Sequence, residues 1–353
     1  MSPNGTISPI QLSRERKALV TGGAGFIGSH LSELLLAEGW EVYALDDVST
    51  GSLENLAHLR PNPHFHLVIE SVLSPAVVSE LVHKCDVVYH LAAAVGVRLI
   101  VDEPVRTLLT NIQGTENVLE YGARFSKRVL IASTSEVYGD HREEKALHES
   151  ARRVYGPTTA RRWAYADSKA IDEFLALGYR DERELDCVIV RLFNTVGPRQ
   201  TGQYGMVIPR FVASALTGRT LEVYGDGHQT RCFCHVFDAI RALRDLMDEP
   251  SVSGEIFNVG AANRISILDL AKLVIEMTGS ESQFAFVPYD KVYGGGIDDM
   301  LHRIPSIDKI AAAIGWKPEL GLDRILSDVI DSLRSESERG GLVDDPFLRQ
   351  FRN

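Results

Sequence analysis

Residues 20–31 read VTGGAGFIGSHL, which places Gly22, Gly25 and Gly28 at a G-x-x-G-x-x-G spacing. The apolar run KALV comes before them and a helix-like stretch comes after, so the glycines lie in a turn between a strand and a helix. Glycines there permit a tight turn, let the backbone approach a pyrophosphate and let the helix pack closely on the sheet. Because N–H groups at the start of the helix face the anion, the stretch predicts a dinucleotide-binding turn.

A carboxylate at the end of the second predicted strand, ALDD, adds to this prediction. Asp46 lies 18 residues after Gly28, where an acidic side chain is expected to hydrogen-bond the ribose 2′-hydroxyl of an adenosine. A carboxylate also repels a 2′-phosphate, so NAD is favoured over NADP. The alternative is a glycine-rich turn that binds no ligand.

Short apolar runs alternate with helix-like stretches as far as about residue 190. The runs KALVTG, EVYALDD, DVVYHLAA, RVLIAS and CVIVRLF predict the strands of a parallel sheet covered by helices. After them the sequence changes to pieces interrupted by Gly and Pro, such as VYGDGHQTR. We therefore predict an α/β fold, a Rossmann-type doubly wound parallel sheet with a smaller, interwoven C-terminal substrate-binding lobe.

The predicted domain boundaries follow this change in texture. The NAD-binding domain is expected at 16–190, with 226–252 returning to it. The substrate-binding lobe is expected at 191–225 and 253–335.

The composition excludes several classes of protein. The chain has 353 residues, of which 44% are hydrophobic and 24% charged, as expected of a globular protein with a substantial core. No apolar run approaches the roughly 20 residues of a membrane span, and the first residues lack the apolar core of a secretory signal, so we expect a cytoplasmic protein. A net charge of −11 argues against general nucleic-acid binding, so an anionic ligand must be held by a local cluster of arginines.

The four cysteines, Cys85, Cys187, Cys232 and Cys234, are too few for a disulfide framework. The pair Cys232 and Cys234 also lacks the further Cys or His residues that a zinc site needs. We expect reduced, structural thiols and no metal.

The segment YADSK sets Tyr165 and Lys169 four residues apart at the start of a helix-like stretch, so both side chains are expected on one helix face. A phenol has a reference pKa of about 10, and a nearby ammonium and a cationic nicotinamide favour the phenolate. Tyr165 thereby becomes a candidate general base. A Tyr-x-x-x-Lys pair alone is common by chance, and it gains meaning here from its position after the glycine turn.

Residues 133–139 read STSEVYG and place Glu136 beside hydroxyl groups, directly after an apolar run. A carboxylate at the end of a buried strand is costly unless water, a partner or a ligand satisfies it. Glu136 is therefore a candidate for chemistry. The alternatives are a solvated strand-end residue and an ion-pair partner of a nearby arginine.

The strand YHLAA ends in two small residues, Ala92 and Ala93, that allow a cofactor to lie against the backbone. Asn111 begins a helix-like segment, and its amide is as well suited to propping the strand ends as to contacting the ligand. The residues predicted to bind the cofactor are Gly22, Gly25, Phe26, Ile27, Gly28, Asp46, Ala92, Ala93, Asn111, Tyr165 and Lys169.

In combination these motifs resemble the extended short-chain dehydrogenases/reductases that modify sugar nucleotides, the NAD-dependent epimerase/dehydratase family. The match runs from about Lys17 to about Trp316 and includes RLFNTVGPR, VYGDGHQTR and HRIPSIDK. The resemblance implies an NAD that is retained through the cycle and a nucleotide-linked hexose that is oxidised and later reduced at C4. Thr134 or Ser135, Tyr165 and Lys169 match the catalytic set of the family.

The resemblance also assigns the substrate side. It places Asn194 at the pyrophosphate, GMVIPRF and LEVYG around the nucleobase, and Arg231 and Arg303 around the diphosphate and sugar. Guanidinium forks suit phosphate and carboxylate groups because they make bidentate contacts. The substrate-binding residues expected from the resemblance are Asn194, Arg199, Val207, Val223, Tyr224, Arg231 and Arg303. A uridine nucleotide is the commonest choice in the family, and thymine stays open.

The details of STSEVYG and QTRCF separate the reactions of the family. In members that dehydrate the sugar an Asp–Glu pair follows the threonine, whereas this chain has Ser135 at the aspartate position. Glu136 and Arg231 together most resemble UDP-glucuronate decarboxylases, in which C4 oxidation by way of Tyr165 makes a β-keto acid that loses carbon dioxide. By this resemblance Arg231 holds the carboxylate and Glu136 orients the ring or handles protons at C5.

Return of the hydride then gives UDP-xylose, and earlier release gives a UDP-4-keto-pentose. One alternative is a 4-epimerase acting on UDP-glucuronate or UDP-glucose. Another, of a different class, is a non-catalytic NAD-binding regulatory protein. The family also implies a homodimer, in which the helix beginning near Asn111 and the helix carrying Tyr165 pair with their copies in a two-fold four-helix bundle.

Overall fold

A computed structural model describes residues 16–95, 103–141, 143–161, 163–202, 206–288, 300 and 302–338 of the protein. The strands of the described chain are β1 Lys17–Thr21, β2 Glu41–Asp46, β3 Phe65–Ile69, β4 Val87–His90, β5 Arg128–Thr134, β6 Ala146–Leu147, β7 Cys187–Leu192, β8 Thr195–Val196, β9 Leu221–Tyr224, β10 Thr230–Cys232, β11 Cys234–His235, β12 Ile256–Val259, β13 Arg264–Ser266, β14 Phe284–Val287 and β15 Ile304–Pro305.

The helices of the described chain are α1 Phe26–Ala37, α2 Pro75–Lys84, α3 Pro104–Arg124, α4 Trp163–Arg183, α5 Val207–Leu216, α6 Val236–Asp248, α7 Ile267–Thr278, α8 Asp308–Ile314 and α9 Leu322–Glu338. A short 3₁₀ turn, Ser135–Tyr138, follows β5 directly. None of these helices combines the length and the apolar character needed to cross a membrane.

A seven-stranded sheet with the order β12-β7-β5-β4-β1-β2-β3 forms the centre of the protein, and every strand pair in it is parallel. Its inner strands are nearly continuous apolar runs because helices cover both faces. On one face the core includes Leu31 of α1, Leu243 of α6 and Ile310 of α8. On the other face it includes Val78 of α2 and Val118 of α3. The predicted Rossmann-type, doubly wound α/β fold is confirmed.

The smaller lobe has a core of its own, which joins helices α5, α7 and α9 to strand β9. Phe211, Val274 and Val329 lie in this core and are 2% exposed or less. Two small sheets complete the lobe, one pairing β14 with β9 and the other pairing β13 with β10.

The structure corrects the predicted domain boundaries. Strand β12 was expected in the lobe, but it pairs with β7 and forms an edge of the central sheet. Helix α8 also packs on the sheet, through Ile310. Conversely, β10 lies within the segment 226–252 yet pairs with β13 of the lobe. The sequence did not predict that β12 belongs to the central sheet. This strand, IFNV, is only four residues long and lies among segments interrupted by Gly and Pro.

Candidate active site

A cavity of about 1820 Å³ lies at the carboxyl ends of the sheet strands and extends under the lobe. Residues that follow β1, β2, β4, β5 and β7 line one side, and residues of α5, β9 and β10 line the other. The cavity opens where β4 and β1 lie side by side, which is the point at which the strand order reverses. Ligands of doubly wound sheets bind at this point, so the cavity is the candidate site.

The glycine turn is shaped by contacts that a side chain would prevent. Gly22 has φ +70°, and a Cβ on it would lie 2.8 Å from the backbone nitrogen of Ala92. A Cβ on Gly28 would lie 2.1 Å from the carbonyl oxygen of Gly22. Gly25 is the N-cap residue of α1 and makes no side-chain cap. The turn therefore presents the first N–H groups of α1, at Phe26 and Ile27, to the cavity, as a pyrophosphate requires.

Asp46 fastens this turn to the loop that follows β2. Its Oδ2 accepts a hydrogen bond of 2.9 Å from the N–H of Ala24, and its Oδ1 accepts one of 2.7 Å from the N–H of Val48. Burial raises the pKa of Asp46, although both hydrogen bonds act in the opposite direction. A carboxylate has about four acceptor positions, so a ribose hydroxyl can be added to these two bonds. The contact with the ribose stays a prediction.

A buried histidine that sequence reasoning missed joins the ends of β1 and β4. His90 Nδ1 lies 2.8 Å from Thr21 Oγ1, and His90 Nε2 lies 3.1 Å from Thr115 Oγ1 of α3. Burial, together with the positive charge of Lys169, lowers the pKa of His90 to about 3, so the ring is neutral. Thr21 Oγ1 also accepts from the N–H of Ala92. The motif HLAA could have predicted this, because a histidine in a strand that is buried on both faces needs a hydrogen-bond partner for each ring nitrogen.

Asn111 serves as the polar prop that was one of its two predicted roles. Its Oδ1 accepts 2.8 Å from the N–H of Ala94, and its Nδ2 donates 3.0 Å to Ser168 Oγ. Ser168 in turn donates to the carbonyl of Tyr165. Asn111 thus ties the loop after β4 to helix α4. Helix α3 begins at Pro104, so the expected helix start near Asn111 was wrong by two turns.

Tyr165 and Lys169 are both buried on α4, with 7% and 2% of their surface exposed. Lys169 Nζ lies 2.8 Å from Asp172 Oδ2 on the same helix. Burial raises the pKa of Tyr165, and the negative charges of Glu136 and Asp172 raise it further, while a hydrogen bond with Thr134 acts against them. Without the charge of a bound nicotinamide, these effects disfavour the phenolate. The predicted help from Lys169 and the nicotinamide stays a prediction.

Glu136 contacts Arg303, which comes from the C-terminal part of the chain. Arg303 Nη1 lies 3.6 Å from Glu136 Oε1 and 3.4 Å from Ser135 Oγ, and Arg303 Nη2 donates 3.1 Å to Asn194 Oδ1. These side chains are mostly buried and line the cavity beside Tyr165. Arg231 lines the same cavity and donates 2.8 Å from Nη1 to the carbonyl of Thr230. The structure thus brings the predicted Ser135, Glu136, Asn194 and Arg303 into one cluster.

Arg199 is paired with a carboxylate of helix α1. It pairs with Glu33 of α1 through Nη2 at 2.8 Å and Nη1 at 3.1 Å. Burial alone would raise the pKa of Glu33, but hydrogen bonds from His30 and Arg199 outweigh it and lower the pKa to about 2. Arg199 therefore anchors helix α1 behind the glycine turn. It also lines the cavity, so its contact with the substrate stays a prediction.

The nucleobase side needs one correction. Tyr224 and Val207 line the cavity, but Val223 is fully buried in the core of the lobe. Side chains alternate along β9, so neighbouring residues point to opposite sides. Sequence reasoning missed Arg210 in VIPRF, whose Cζ lies 3.9 Å from the ring centroid of Tyr224 and whose Nη2 donates to the carbonyl of Glu222.

Among the residues that the structure describes, no three His, Cys, Asp or Glu side chains are grouped as metal ligands.

Comparison with known proteins agrees with this geometry. Residues 19–329 match the family model described as GDP-mannose 4,6 dehydratase. The chain belongs to this family. It is 40% identical over 321 residues to a UDP-N-acetyl-alpha-D-glucosaminuronate decarboxylase of Bacillus cytotoxicus, with 91% of this chain and 98% of that protein covered. It is 36% identical over 341 residues to UDP-glucuronic acid decarboxylase 1 of Arabidopsis thaliana, with coverages of 95% and 74%.

A solved structure of UDP-glucuronic acid 4-epimerase from Bacillus cereus, in complex with UDP-glucuronic acid and NAD, superposes with a TM-score of 0.81 at 28% identity. The superposition covers 90% of this chain and 99% of that one. These relatives confirm the prediction of an NAD-dependent enzyme of the decarboxylase and 4-epimerase group. The glycine turn, in which Gly22 and Gly28 leave no room for a side chain, fits NAD as the cofactor.

Proposed function

We propose that this protein is a decarboxylase of UDP-linked glucuronate sugars. The observation that carries the proposal is the pair of Glu136 and Arg303, which lines the same cavity as Tyr165. A guanidinium in a mostly buried position is suited to a carboxylate because it keeps its charge and donates in a fork. The decarboxylases among the relatives support the same reaction.

Tyr165 and Thr134 would begin the reaction at C4. NAD, when bound, accepts the hydride from C4 and later returns it. Tyr165 Oη takes the proton of the C4 hydroxyl, and Thr134 is positioned beside that phenol to share it. Lys169 lies on the same helix face and orients the phenol and the cofactor side of the site. The sugar becomes a 4-keto uronate, in which the carboxylate is β to a ketone.

Arg303 and Glu136 would then serve the loss of carbon dioxide. Arg303 binds the sugar carboxylate beside Glu136, and Arg231, to which the resemblance gives this role, lines the same cavity and can share it. The C5–C6 bond breaks, carbon dioxide leaves, and the bonding electrons enter the enolate at C4. Glu136 orients the ring or moves the proton that C5 receives. Return of the hydride to C4, with the proton from Tyr165, gives UDP-xylose, and release before this step gives the UDP-4-keto-pentose.

Two substrates deserve assay, because the two decarboxylase relatives differ in the substituent at C2. UDP-glucuronate is our first choice, and UDP-N-acetylglucosaminuronate is the second because the relative at 40% identity carries that name. The residue roles above are the same for both.

The second candidate function is 4-epimerisation, which the superposition on a UDP-glucuronic acid 4-epimerase favours. An epimerase would use Tyr165 in the same way and return the hydride to the other face of the ketone. Substrate labelled at the carboxyl carbon separates the two reactions. We expect labelled carbon dioxide and a UDP-pentose, identified by mass spectrometry and NMR; a C4 epimer that retains every carbon would refute the decarboxylase.

We also propose a homodimer built on α3 and α4. The two helices pack against each other, and each exposes apolar side chains: Val105 and Leu109 on α3, and Ile171 and Phe174 on α4. Pairing with a second copy would cover them in an isologous four-helix bundle. Light scattering of the wild type should give a dimer and Phe174→Asp a monomer, while Phe286→Asp, at an exposed apolar site of the lobe, should leave the mass unchanged.

We further propose that the protein works in the cytoplasm. Cys85, Cys187, Cys232 and Cys234 are all free and buried, which suits a reducing compartment.

A further inference from the structure

Asn258 of strand β12 is a buried amide that joins two segments of the sugar wall of the cavity. Its Oδ1 accepts a hydrogen bond of 2.6 Å from the hydroxyl of Tyr138. Its Nδ2 donates to the carbonyls of Leu147 and Ser306, at 2.8 and 3.1 Å. Asn258 and Tyr138 are both 0% exposed. The amide thus uses both of its donor positions, and the loss of any of these bonds would leave a buried polar group unpaired.

Tyr138 connects Asn258 with Glu136. The 3₁₀ turn Ser135–Tyr138 contains both Glu136 and Tyr138, which are two residues apart. Residues of so short a turn move together because the peptide planes between them are rigid. The bond between Tyr138 and Asn258 therefore determines where the turn, and with it the carboxylate of Glu136, lies in the cavity.

Leu147 and Ser306 connect Asn258 with Arg303. Strand β15 directly follows Arg303 and pairs with β6, with Pro305 opposite Leu147. The N–H of Ser306 also donates 3.0 Å to the carbonyl of Leu147. Each of these strands has only two residues, and Pro305 has no N–H to donate, so the pairing is too short to be stable by itself. The two bonds from Asn258 therefore help to hold the segment that carries Arg303.

The central sheet in turn holds Asn258. This residue lies opposite Arg191 in the pairing of β12 with β7, and its N–H donates 2.9 Å to Glu149 Oε1. Arg191 donates 2.9 Å to the carbonyl of Glu149 and pairs at 2.7 Å with Glu173 of α4. Asn258 is thus a fixed point of the sheet to which the Glu136 segment and the Arg303 segment are both bonded.

We propose that Asn258 is a positioning residue that aligns Arg303 with Glu136 for binding of the sugar. The inference rests on the proposed role of these two side chains at the sugar carboxylate. Arg303 Nη1 lies 3.6 Å from Glu136 Oε1, although the two residues come from segments that are far apart in the chain. Such a pair stays aligned when both segments are bonded to one rigid element. Loss of the Asn258 amide should therefore weaken the sugar wall and leave the cofactor wall unchanged.

The first test is a double-mutant cycle on the affinity for UDP-glucuronate. The protein is loaded with NAD and carries Tyr165→Phe, so that calorimetry follows binding without turnover. We expect Asn258→Ala and Arg303→Ala each to weaken binding by about tenfold, the size of a lost hydrogen bond to a charged group. Because Asn258 acts through Arg303, the double variant should bind about as weakly as Arg303→Ala alone. Losses that multiply, or a normal affinity in Asn258→Ala, would overturn the inference.

Two further variants make the result specific. Tyr138→Phe removes the hydroxyl that bonds Asn258 and should weaken binding in the same direction; it replaces Asn258→Ala if that variant does not fold. Tyr179→Phe is the matched control, because this hydroxyl donates 3.2 Å to Glu120 between α4 and α3 and its loss should leave the affinity unchanged. Equal losses of affinity in the two phenylalanine variants would assign the effect to general destabilisation and refute the inference.

Kinetics separate positioning from a loss of stability. In Asn258→Ala with Tyr165 intact, release of labelled carbon dioxide per folded molecule should slow by about 10²-fold, because a misplacement of about 1 Å costs that much. The affinity for NAD should stay close to that of the wild type. A residue with a structural role only would lower the folded fraction, so a normal rate per folded molecule would refute the inference.

A crystal structure of NAD-bound Asn258→Ala, compared with the wild type, tests the inference without a sugar. We expect the distance between Arg303 Nη1 and Glu136 Oε1 to exceed about 4 Å, the limit of an ion pair. An unchanged distance would overturn the positioning role of Asn258. Because this readout needs no substrate, failure of the decarboxylase assay and failure of this inference are seen separately.

Discussion

The two walls of the cavity are built in different ways. On the cofactor wall, backbone contacts define the shape: Gly28 leaves room for the carbonyl of Gly22, and Asp46 binds two backbone N–H groups. On the sugar wall, side chains define it, since Arg303 joins Ser135, Glu136 and Asn194. The cofactor wall tolerates few substitutions because backbone contacts define it, but it can hold the cofactor for any reaction of the family. A side-chain-built wall determines which reaction follows C4 oxidation.

The largest expected effect is the loss of C4 oxidation, the step that needs both the cofactor wall and the sugar wall. Tyr165→Phe should reduce C4 oxidation by a factor on the order of 10² to 10⁴ or more, because a positioned acid–base group contributes that much. Binding of NAD should be preserved, since the phenyl ring keeps its place. Formation of NADH absorbance on addition of UDP-glucuronate measures the step, and near-normal turnover would remove Tyr165 from the role of base.

Substitution on the sugar wall should separate oxidation from decarboxylation. Glu136→Gln keeps the size of the side chain, so we expect folding and NAD affinity to stay close to wild type while release of labelled carbon dioxide slows by about 10²-fold. Glu144→Gln is the matched control, because Glu144 pairs with Arg264 at 2.8 Å and is more than half exposed. Equal rates in Glu136→Gln and the wild type would return Glu136 to a structural role.

Substitution on the cofactor wall should affect stability and NAD binding together. In Gly28→Ala the new methyl group would lie 2.1 Å from a backbone oxygen, and such overpacking costs about 1–3 kcal/mol or more. Gly178→Ala on α4 adds the same methyl group where no atom lies within 4 Å, and the better helix propensity of alanine should keep or raise stability. Denaturant unfolding and NAD titration compare the two, and equal losses would contradict the backbone-built description.

The smallest expected effect concerns the ion pair of Glu33 and Arg199, which holds helix α1 behind the glycine turn. The pKa of Glu33 falls from an ordinary 4.5 to about 2 in the folded protein, so its ion pair stabilises the fold above pH 4.5 and loses this contribution as the pH falls towards 2. Glu33→Gln should therefore lower the unfolding midpoint at pH 7 and differ less from the wild type as the medium becomes more acidic. A larger change in the KM for the UDP-sugar than in stability would instead assign Arg199 to the substrate.

The sequence predicted the cofactor wall well because its residues are close together in the chain. The turn at residues 20–31 and the carboxylate at Asp46 follow consecutive strands, so spacing alone defines their geometry. Arg303 and Ser135 are 168 residues apart, and no local pattern records their contact. Resemblance supplied both residues, but only the folded chain shows that Glu136 pairs with Arg303.

The remaining errors have physical causes of the same kind. Val223 was placed at the nucleobase, but in a four-residue strand the side facing the cavity depends on what packs behind it, here the core of the lobe. The role of Asn111 depended on Ser168, which comes from another helix. Strand β12 could not be distinguished from lobe segments because its partner β7 lies far back in the sequence.

The exchange of strands between sheet and lobe also has a consequence for biosynthesis. Strand β7 leaves the ribosome well before β12, the strand that covers its outer edge. A nascent chain that ends before residue 256 therefore exposes an apolar strand with unpaired N–H and C=O groups, which favours association with other chains. Translation through β12 pairs this edge of β7, so we expect chains that end before residue 256 to aggregate more readily than the full chain.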